Sequence, residues 1–299
     1  MTTVLDRPRV SPARSQPGKQ RRYGERPSIA YLFLSPWVAG ALLLTLGPML
    51  WLLYLSFTEY DLFTAPRWVG LDNYVRMLTV DPHFWNAVWA TSKFVLISVP
   101  VQLAAALGVA LLIHRRSRAQ GFYRSAFYAP SLLGASVSVA LVWRVIFHDW
   151  IGHPDRALLA LVLLAVWQFG APMVIFLAGL QQIPQEYYDA AAVDGAGPWR
   201  SFLKITIPML SPVIFFNLVL DTIRAFQVFT GAYVVSNGTG GPSDSTLFYT
   251  LYLYEKGFVE FKMGYASAMS WFLLVVIAVI TALLFRTAKG WVFYSGDES

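Results

Sequence analysis

The sequence predicts an all-α integral membrane protein with six transmembrane helices and a cytoplasmic helix between the fourth and fifth spans. Three observations support this fold class. Hydrophobic residues make up 56% of the 299 residues, and only 13% are charged, which is too few charges for an ordinary soluble surface. The apolar residues fall in runs of about 20 or more, the length that crosses a bilayer as a helix. The runs do not alternate with polar residues, as the strands of a membrane barrel would.

Six apolar windows are long enough to cross the membrane. Lipid offers no hydrogen-bond partner to backbone groups, so we expect each window to be a helix. The windows cover residues 29–57, 86–113, 122–147, 157–180, 209–235 and 264–285.

The segments outside these windows predict the rest of the organisation. Residues 1–28 are rich in Pro, Arg and Ser, and we expect them to be a disordered, basic cytoplasmic leader. The first apolar run is about twice as long as the core of a secretory signal, which predicts an uncleaved first span. Residues 29–285 are expected to form one six-span domain with a polar loop at 181–208, and residues 286–299 a cytoplasmic tail.

The distribution of Lys and Arg predicts the orientation. With the amino terminus in the cytoplasm, the inner segments carry fifteen basic residues and the outer loops five, as the positive-inside rule requires. An even number of spans then places both termini in the cytoplasm, in a multi-pass protein of the cell membrane. The net charge of +6 is explained by topology and by attraction to anionic lipid, and no nucleic-acid partner is expected.

The loop between the fourth and fifth windows combines a helix with a glycine turn. The stretch PQEYYDAAAVDGA begins at Pro184, a residue that favours helix starts. Glu186 and Asp189 lie near this start, where the helix dipole favours acids. Gly195 permits a reversal of the chain, and a second helical run is expected to end at Pro208. A docking helix for another protein and an ordinary amphipathic surface helix both fit this pattern.

The same loop resembles the Glu-Ala-Ala signature of the permease subunits of ABC importers. That signature has an acid, two alanines and Asp-Gly-Ala, followed about nine residues later by Ile-x-Leu-Pro. The matching residues here are Asp189, Ala190, Ala191, Asp194, Gly195 and Ala196, followed by Ile205, Ile207 and Pro208. Asp at 189 and Ile at 207 are mild departures. The resemblance implies that the residues that couple the chain to an ATPase are Glu186, Asp189, Ala190, Ala191, Asp194, Gly195, Ala196 and Pro208.

Further segments are similar to the sugar-importing branch of these permeases, the group that imports maltose, trehalose and glycerol phosphate. They include WVGLDNY, FYRSAFYAPSL, NLVLDTIRAFQVF and MGYASAMSW, and the resemblance covers roughly residues 31–285. One segment departs from the pattern. Only HDWIGHPDR, residues 148–156, connects the third and fourth windows, where such permeases usually carry a longer outer segment.

The resemblance implies a transport subunit that holds half of a translocation pathway and works by alternating access. It implies four kinds of partner: a second permease in a heterodimer, two ATPase subunits, an extracytoplasmic binding protein and a small carbohydrate substrate. ATP and Mg²⁺ would be bound by the ATPase subunits, so no cofactor is expected in this chain. Its glycine-rich tract NGTGGPS lacks the Lys-Ser/Thr of a phosphate-binding loop.

Ionisable residues within spans are costly and therefore become candidates for function. Lys93 and Arg144 lie near span ends and can extend to the headgroups. Asp221 and Arg224 are three residues apart on one helical face and can pair. Charges, amides and aromatic rings together suit a sugar. The candidate pathway residues are Asn217, Asp221, Arg224, Phe226 and Gln227. A polar cluster that holds the partner permease fits the same residues.

Two alternatives stay open at this point. The same importer class could carry glycerol phosphate, a polyol or another small solute, and Arg224 would favour an anion if it faces the pathway unpaired. A polytopic membrane enzyme, such as a lipid-linked sugar transferase, would need juxtamembrane carboxylates, whereas the acids here are scattered over loops. The chain has no cysteine, and its histidines show no helical pairing with acids within the spans, so no metal site is expected. The sequence does not identify the sugar.

Overall fold

The computed structural model describes residues 27–114, 119–134 and 136–293. Residues 1–26 of the expected leader and residues 294–299 of the expected tail lie outside this part. The chain divides into two units, residues 1–49 and 50–299. Helices make up most of the described residues of both units, since a helix satisfies its own backbone groups and needs no partner in lipid.

In the first unit, the described residues form α1, Pro27–Gly40, a π-helical segment, Ala41–Leu46, and the start of α2, Gly47–Ser56. The apolar side chains here are largely exposed; Phe33 is 81% exposed and Leu44 80%. Such a surface suits contact with lipid tails, which are as apolar as leucine itself.

The second unit contains the other described elements. Two short antiparallel strands pair Thr58 with Trp68 and Glu59 with Arg67. The other elements are α-helices, two π-helical segments, Phe202–Thr206 and Glu255–Val259, and a 3₁₀ turn, Pro242–Asp244. In chain order the elements are β1 Thr58–Glu59, β2 Arg67–Trp68, α3 Asp72–Thr79, α4 Pro82–His114, α5 Gln120–Leu133, α6 Val137–Ile146, α7 His148–Ile151, α8 Pro154–Trp167, α9 Gly170–Gln181, α10 Gln185–Val193, α11 Pro198–Ser201, α12 Ile207–Phe226, α13 Thr230–Ser236, α14 Tyr249–Tyr254 and α15 Met263–Ala288.

The described helices confirm the all-α membrane fold class. Four helices are long and apolar enough to cross a membrane: Tyr31–Ser56, Pro82–His114, Pro198–Phe226 and Met263–Ala288. Two further pairs qualify only when taken together, α5 with α6 and α8 with α9, and they are bent by 95° and 44°. By length and composition, the described part of the chain therefore has four candidate spans, or up to six if each bent pair is one span.

The third and fourth windows are interrupted, which differs from the continuous helices that the hydropathy predicts. After the first break, the hydroxyl of Ser136 accepts a hydrogen bond from the backbone N–H of Val139 and begins α6. At the second break, α9 begins at Gly170 with Pro172 in its first turn, where a proline is tolerated because that N–H has no helical partner. Capping and proline thus start new helices inside apolar windows.

The fifth span is displaced toward the amino terminus relative to the predicted window 209–235. The helix runs without interruption from Pro198 to Phe226, so the expected end at Pro208 is wrong. A π-helical segment, Phe202–Thr206, ends two residues before this proline, and both π-turns and prolines are known causes of bends in a helix that continues. At the other end, α12 stops at Phe226. Two residues later, the carbonyl of Val228 accepts a hydrogen bond from the Thr250 hydroxyl.

The core of the second unit lies around α4, which packs against α8, α9 and α12. Phe94 of α4 and Phe176 of α9 are fully enclosed. Small residues permit the closest approaches. A Cβ added at Gly179 of α9 would lie 2.8 Å from Leu210 Cδ1 of α12.

At one end of the bundle, Asp81 connects three helices. One carboxylate oxygen accepts hydrogen bonds from the backbone N–H groups of His83 and Phe84 at the start of α4. The other accepts from the hydroxyls of Tyr252 of α14, at 2.5 Å, and Tyr265 of α15, at 2.6 Å. Partial burial raises the pKa of Asp81, but these hydrogen bonds outweigh it and hold the pKa below its ordinary value. The carboxylate is therefore charged at neutral pH, as charge-assisted bonds require.

Candidate functional sites

The first candidate site is the segment between the fourth and fifth windows. Pro184 precedes α10 in an extended conformation, so the helix begins where the sequence predicts. Within α10 the side-chain amide of Gln185 donates to Asp189 Oδ1 at 3.4 Å. Glu186 lies in the first turn, and Ala190 is exposed. The helix therefore presents its acids and small residues outward.

Gly195 ends α10 in the conformation that its sequence predicts. Its φ of +73° lies in the left-handed region, which glycine adopts without steric cost. The N–H of Ala196 donates to the carbonyl of Ala191 at 2.8 Å, and the N–H of Gly195 donates to the carbonyl of Ala192 at 3.1 Å. These two bonds form a Schellman motif, with Asp194 between helix and glycine. The turn is thus fixed by backbone geometry.

A side-chain hydrogen bond joins α10 to the following span. The hydroxyls of Tyr188 and Thr206 lie 2.9 Å apart, and Thr206 is buried in the π-helical segment that leads into α12. The surrounding apolar side chains are exposed; Val193 is 88% exposed and Trp199 71%. The segment is therefore a capped helix that is hydrogen-bonded to a span and exposed over much of its surface.

The second candidate site is a cavity of about 220 Å³ among the spans. Asp221 and Arg224 of α12 line it together with residues of α4, α5, α8 and α9. Ser98, Gln102, Ser131 and Gln168 supply its other polar side chains.

Asp221 and Arg224 form the pair that their spacing predicts, with Arg224 Nη1 3.7 Å from Asp221 Oδ1. The Asp221 side chain is 5% exposed and that of Arg224 is 66% exposed. Asp221 Oδ2 makes no hydrogen bond within the described residues, and neither does Asn217 Nδ2 one turn earlier. The cavity thus presents an open acceptor beside an accessible cation.

The remaining pathway candidates lie outside this cavity. Asn217 is 2% exposed, and Phe226, at 8%, belongs to the hydrophobic core. Gln227 follows the end of α12 and is exposed. Asp221 and Arg224 are therefore the two candidates that the fold brings to one cavity.

The breaks in the third and fourth windows meet at the same cavity. The hydroxyl of Ser131, near the end of α5, donates to the carbonyl of Gln168 at 2.8 Å and accepts from the N–H of Ala171 at 3.1 Å. A Cβ added at Gly170 would lie 2.6 Å from the carbonyl oxygen of Phe127. Gln168, directly before Phe-Gly-Ala-Pro, is a signal the sequence interpretation missed, since interrupted spans often mark transport sites.

The other charged candidates have local partners. The Lys93 ammonium lies 5.2 Å from the centroid of the Trp89 ring, and Arg144 donates a hydrogen bond to the side chain of Asn237. Within residues 27–114, 119–134 and 136–293, no group of three or more His, Cys, Asp or Glu side chains could hold a metal ion.

Comparison with known proteins identifies the class. Residues 84–289 match the family described as the binding-protein-dependent transport system inner membrane component, and the chain belongs to this family. It is 48% identical over 286 residues to the probable ABC transporter permease protein YesP of Bacillus subtilis, which covers 90% of this chain and 93% of that protein. It is 32% identical over 301 residues to the arabinooligosaccharides transport system permease protein AraP of the same organism, with 92% and 93% coverage.

A solved structure shows the same fold. In the crystal structure of a bacterial alginate ABC transporter in complex with an alginate pentasaccharide-bound periplasmic protein, one chain matches with a TM-score of 0.73 at 19% identity. The match covers 88% of this chain and 95% of that chain. Family membership confirms a multi-pass membrane transport subunit rather than an enzyme, so the lipid-linked sugar transferase alternative is set aside.

Proposed function

We propose that this chain is the permease subunit of an ATP-driven, binding-protein-dependent importer of small carbohydrates. The capped helix α10 carries the proposal, because a rigid exposed helix tied to a span is what coupling to a motor requires. Relatives named for arabinooligosaccharides and lactose transport support the substrate class. The alginate transporter, solved with its saccharide-loaded periplasmic protein, supports it as well.

The proposed assembly contains a second permease as heterodimer partner, two ATPase subunits that bind ATP and Mg²⁺, and an extracytoplasmic binding protein. Both termini and the segment 181–208 would face the cytoplasm, where the ATPase subunits bind. Residues 29–285 would form the permease domain, with residues 1–28 and 286–299 as cytoplasmic extensions. The charge asymmetry of fifteen basic residues inside against five outside supports this orientation.

In the proposed mechanism, each ATPase holds one docking helix, and ATP shifts the equilibrium because it binds the two states with different affinity. A displacement of α10 passes through Tyr188 to Thr206 and into α12. Asp221 lies fifteen residues beyond Thr206, about 22 Å along the helix at 1.5 Å per residue. The same continuous helix would thus carry the displacement to the cavity, which opens to alternate sides.

An anionic solute, such as glycerol phosphate, is a second candidate substrate, and the exposure of Arg224 supports it. The guanidinium of Arg224 is largely exposed and its contact with Asp221, at 3.7 Å, exceeds hydrogen-bond length. Its donors could therefore bind an anionic solute. A relative in Escherichia coli is named the sn-glycerol-3-phosphate transport system permease protein UgpA, and uptake of glycerol phosphate in place of sugar would favour this candidate.

The coupling proposal is tested at Gly195. Valine at a φ of +73° is strained by about 1–2 kcal/mol, while open space surrounds this glycine, so Gly195→Val distorts the turn without a clash. We expect the variant to insert normally but to lose ATP hydrolysis stimulated by the loaded binding protein. ATPase activity of the reconstituted importer measures this effect.

Gly197→Val is the matched control for this experiment. Gly197 also has open space around it, and its φ of −71° and ψ of 168° suit valine before a proline. Coupling should survive this substitution. Equal activity of the two variants would contradict the role assigned to the turn.

A further inference from the structure

A second polar cavity, of about 340 Å³, lies beside the start of α4. Residues of α4, the start of α8 and the loop at 243–245 line it. Its volume falls within the range of about 300–1,000 Å³ that is typical of ligand pockets, whereas the cavity at Asp221 is smaller. We call this space the outer cavity, and the space at Asp221 the inner cavity.

Its α4 wall combines an aromatic ring with two polar groups. Asn86, Trp89 and Lys93 line the outer cavity, and their spacing of three and four residues places them on one helical face. The Trp89 side chain is 62% exposed, so its ring is accessible. The Lys93 ammonium lies over one face of the ring, 5.2 Å from its centroid, and adds a hydrogen-bond donor there, so a ligand has the opposite face of the ring.

The opposite walls supply carboxylates. Asp155 lies in the first turn of α8. Asp244 is fixed through Oδ2, which lies 2.7 Å from His83 Nδ1 and accepts from Asn86 Nδ2 at 3.0 Å. Asp244 and Ser243 both have positive φ, +58° and +52°, a conformation that costs a non-glycine residue energy and persists where surrounding contacts enforce it. The loop is thus held in one position beside the ring.

The loop also contributes an unpaired hydroxyl. Ser245 Oγ is buried and makes no hydrogen bond within the described chain, although Ser245 lines the outer cavity. The accessible lining therefore offers carboxylate acceptors and an ammonium donor, while the Ser245 hydroxyl itself is buried. A ligand with many hydroxyl groups and apolar faces satisfies this set. An anionic ligand is disfavoured, because two carboxylates outnumber one ammonium.

We propose that the outer cavity binds one ring of a neutral saccharide, with the ring against Trp89 and its hydroxyls bonded to Asp155, Asp244 and Lys93. This inference rests on the proposed sugar importer.

The position of the outer cavity along α8 indicates when sugar would bind there during transport. Leu158 lines the outer cavity and Ala165 lines the cavity at Asp221; two turns of one helical face, about 10 Å, separate them. Sugar would occupy the outer cavity before the inner one.

A single-thiol protection experiment tests this site. The chain has no cysteine, so Ser243→Cys introduces its one thiol at the exposed rim of the outer cavity. Maltotriose at millimolar concentration should slow maleimide labelling of this chain severalfold in the reconstituted importer. Trp89→Ala should abolish the protection and Asp155→Asn should weaken it.

Two controls make the result specific. Trp85→Ala changes a neighbouring tryptophan of α4 that is 51% exposed and does not line the outer cavity, so protection should persist. Phe63→Cys, in the loop between the strands, should not be protected. Protection that survives Trp89→Ala, or no protection by any neutral sugar that the wild-type importer takes up, overturns the outer site alone. If the wild-type importer takes up no neutral sugar, the proposed function and the outer site both fail.

Discussion

Arg224 and Asp221 experience very different surroundings although they are one turn apart. The carboxylate is buried and the guanidinium is mostly exposed. A buried charge depends on its partner, because removing one member leaves the other uncompensated in a medium of low polarity. An exposed arginine depends little on this pair. This difference in exposure suits an arginine that can release Asp221 and bind a ligand in its place.

At this pair we predict that Arg224→Ala lowers sugar uptake at least tenfold while the second permease still co-purifies. The variant leaves the Asp221 carboxylate without a cation, whereas adding Asp221→Asn removes that charge. The double variant should therefore be more thermally stable than Arg224→Ala, since residues in contact are not additive.

The control is Arg286→Ala, which changes an exposed cation at the end of α15. It should alter neither sugar uptake nor co-purification of the second permease. Loss of the partner permease from the purified complex, with uptake reduced only in proportion, would show instead that the pair holds the subunit interface. Uptake assays and co-purification together separate these roles.

At the scale of the elements, the interrupted spans raise the question of where their freed backbone groups find partners. Inside a membrane each such group needs a partner in the protein. Ser131 supplies one by accepting from the N–H of Ala171 and donating to the carbonyl of Gln168. One hydroxyl therefore joins α5 to the start of α9 beside the inner cavity.

We predict that Ser131→Ala destabilises the protein by about 1 kcal/mol, the typical net contribution of an intramolecular hydrogen bond, because the bonds it removes are only partly buried. Thermal unfolding in detergent measures this change. Ser125→Ala is the control on the same helix, because that hydroxyl bonds only to the carbonyl of Gly121 and is exposed. Its effect should stay within about 0.5 kcal/mol. A similar shift in both variants would mean that the Ser131 bridge contributes nothing specific.

How far these elements could be predicted depends on the length scale of each signal. The windows at 86–113 and 264–285 fall within α4 and α15, because twenty apolar residues carry a clear signal. Gly195 predicts its turn because the left-handed conformation is a local requirement. The breaks between α5 and α6 and between α8 and α9 were not predicted. Hydropathy is averaged over a whole span, so it does not detect an interruption of a few residues.

The cavities are harder to predict than the elements. Ser98, Ser131, Gln168 and Asp221 come from four separate parts of the chain, and only tertiary packing brings them together. Each alone resembles an ordinary polar residue in an apolar segment. Asp221 and Arg224 could be selected because an ionisable residue is costly in a membrane, whereas serine and glutamine cost less and give a weaker signal.

At the scale of the whole molecule, orientation decides whether the proposed sites can work. The docking segment must face the ATPase subunits in the cytoplasm, and the outer cavity must face the binding protein. The basic residues favour this arrangement, with fifteen in the inner segments and five in the outer loops. The absence of cysteine from the sequence makes a direct measurement simple, because each introduced thiol is unique.

We predict that Phe63→Cys reacts with a membrane-impermeant maleimide in intact spheroplasts, while Val193→Cys reacts only after permeabilisation. Both side chains are well exposed, Phe63 at 77% and Val193 at 88%, so access alone should not distinguish them. Expression without the ATPase subunits keeps Val193 uncovered. Labelling of Val193→Cys in intact spheroplasts would place α10 outside, where no ATP is available, and coupling through Tyr188 and Thr206 would then be impossible.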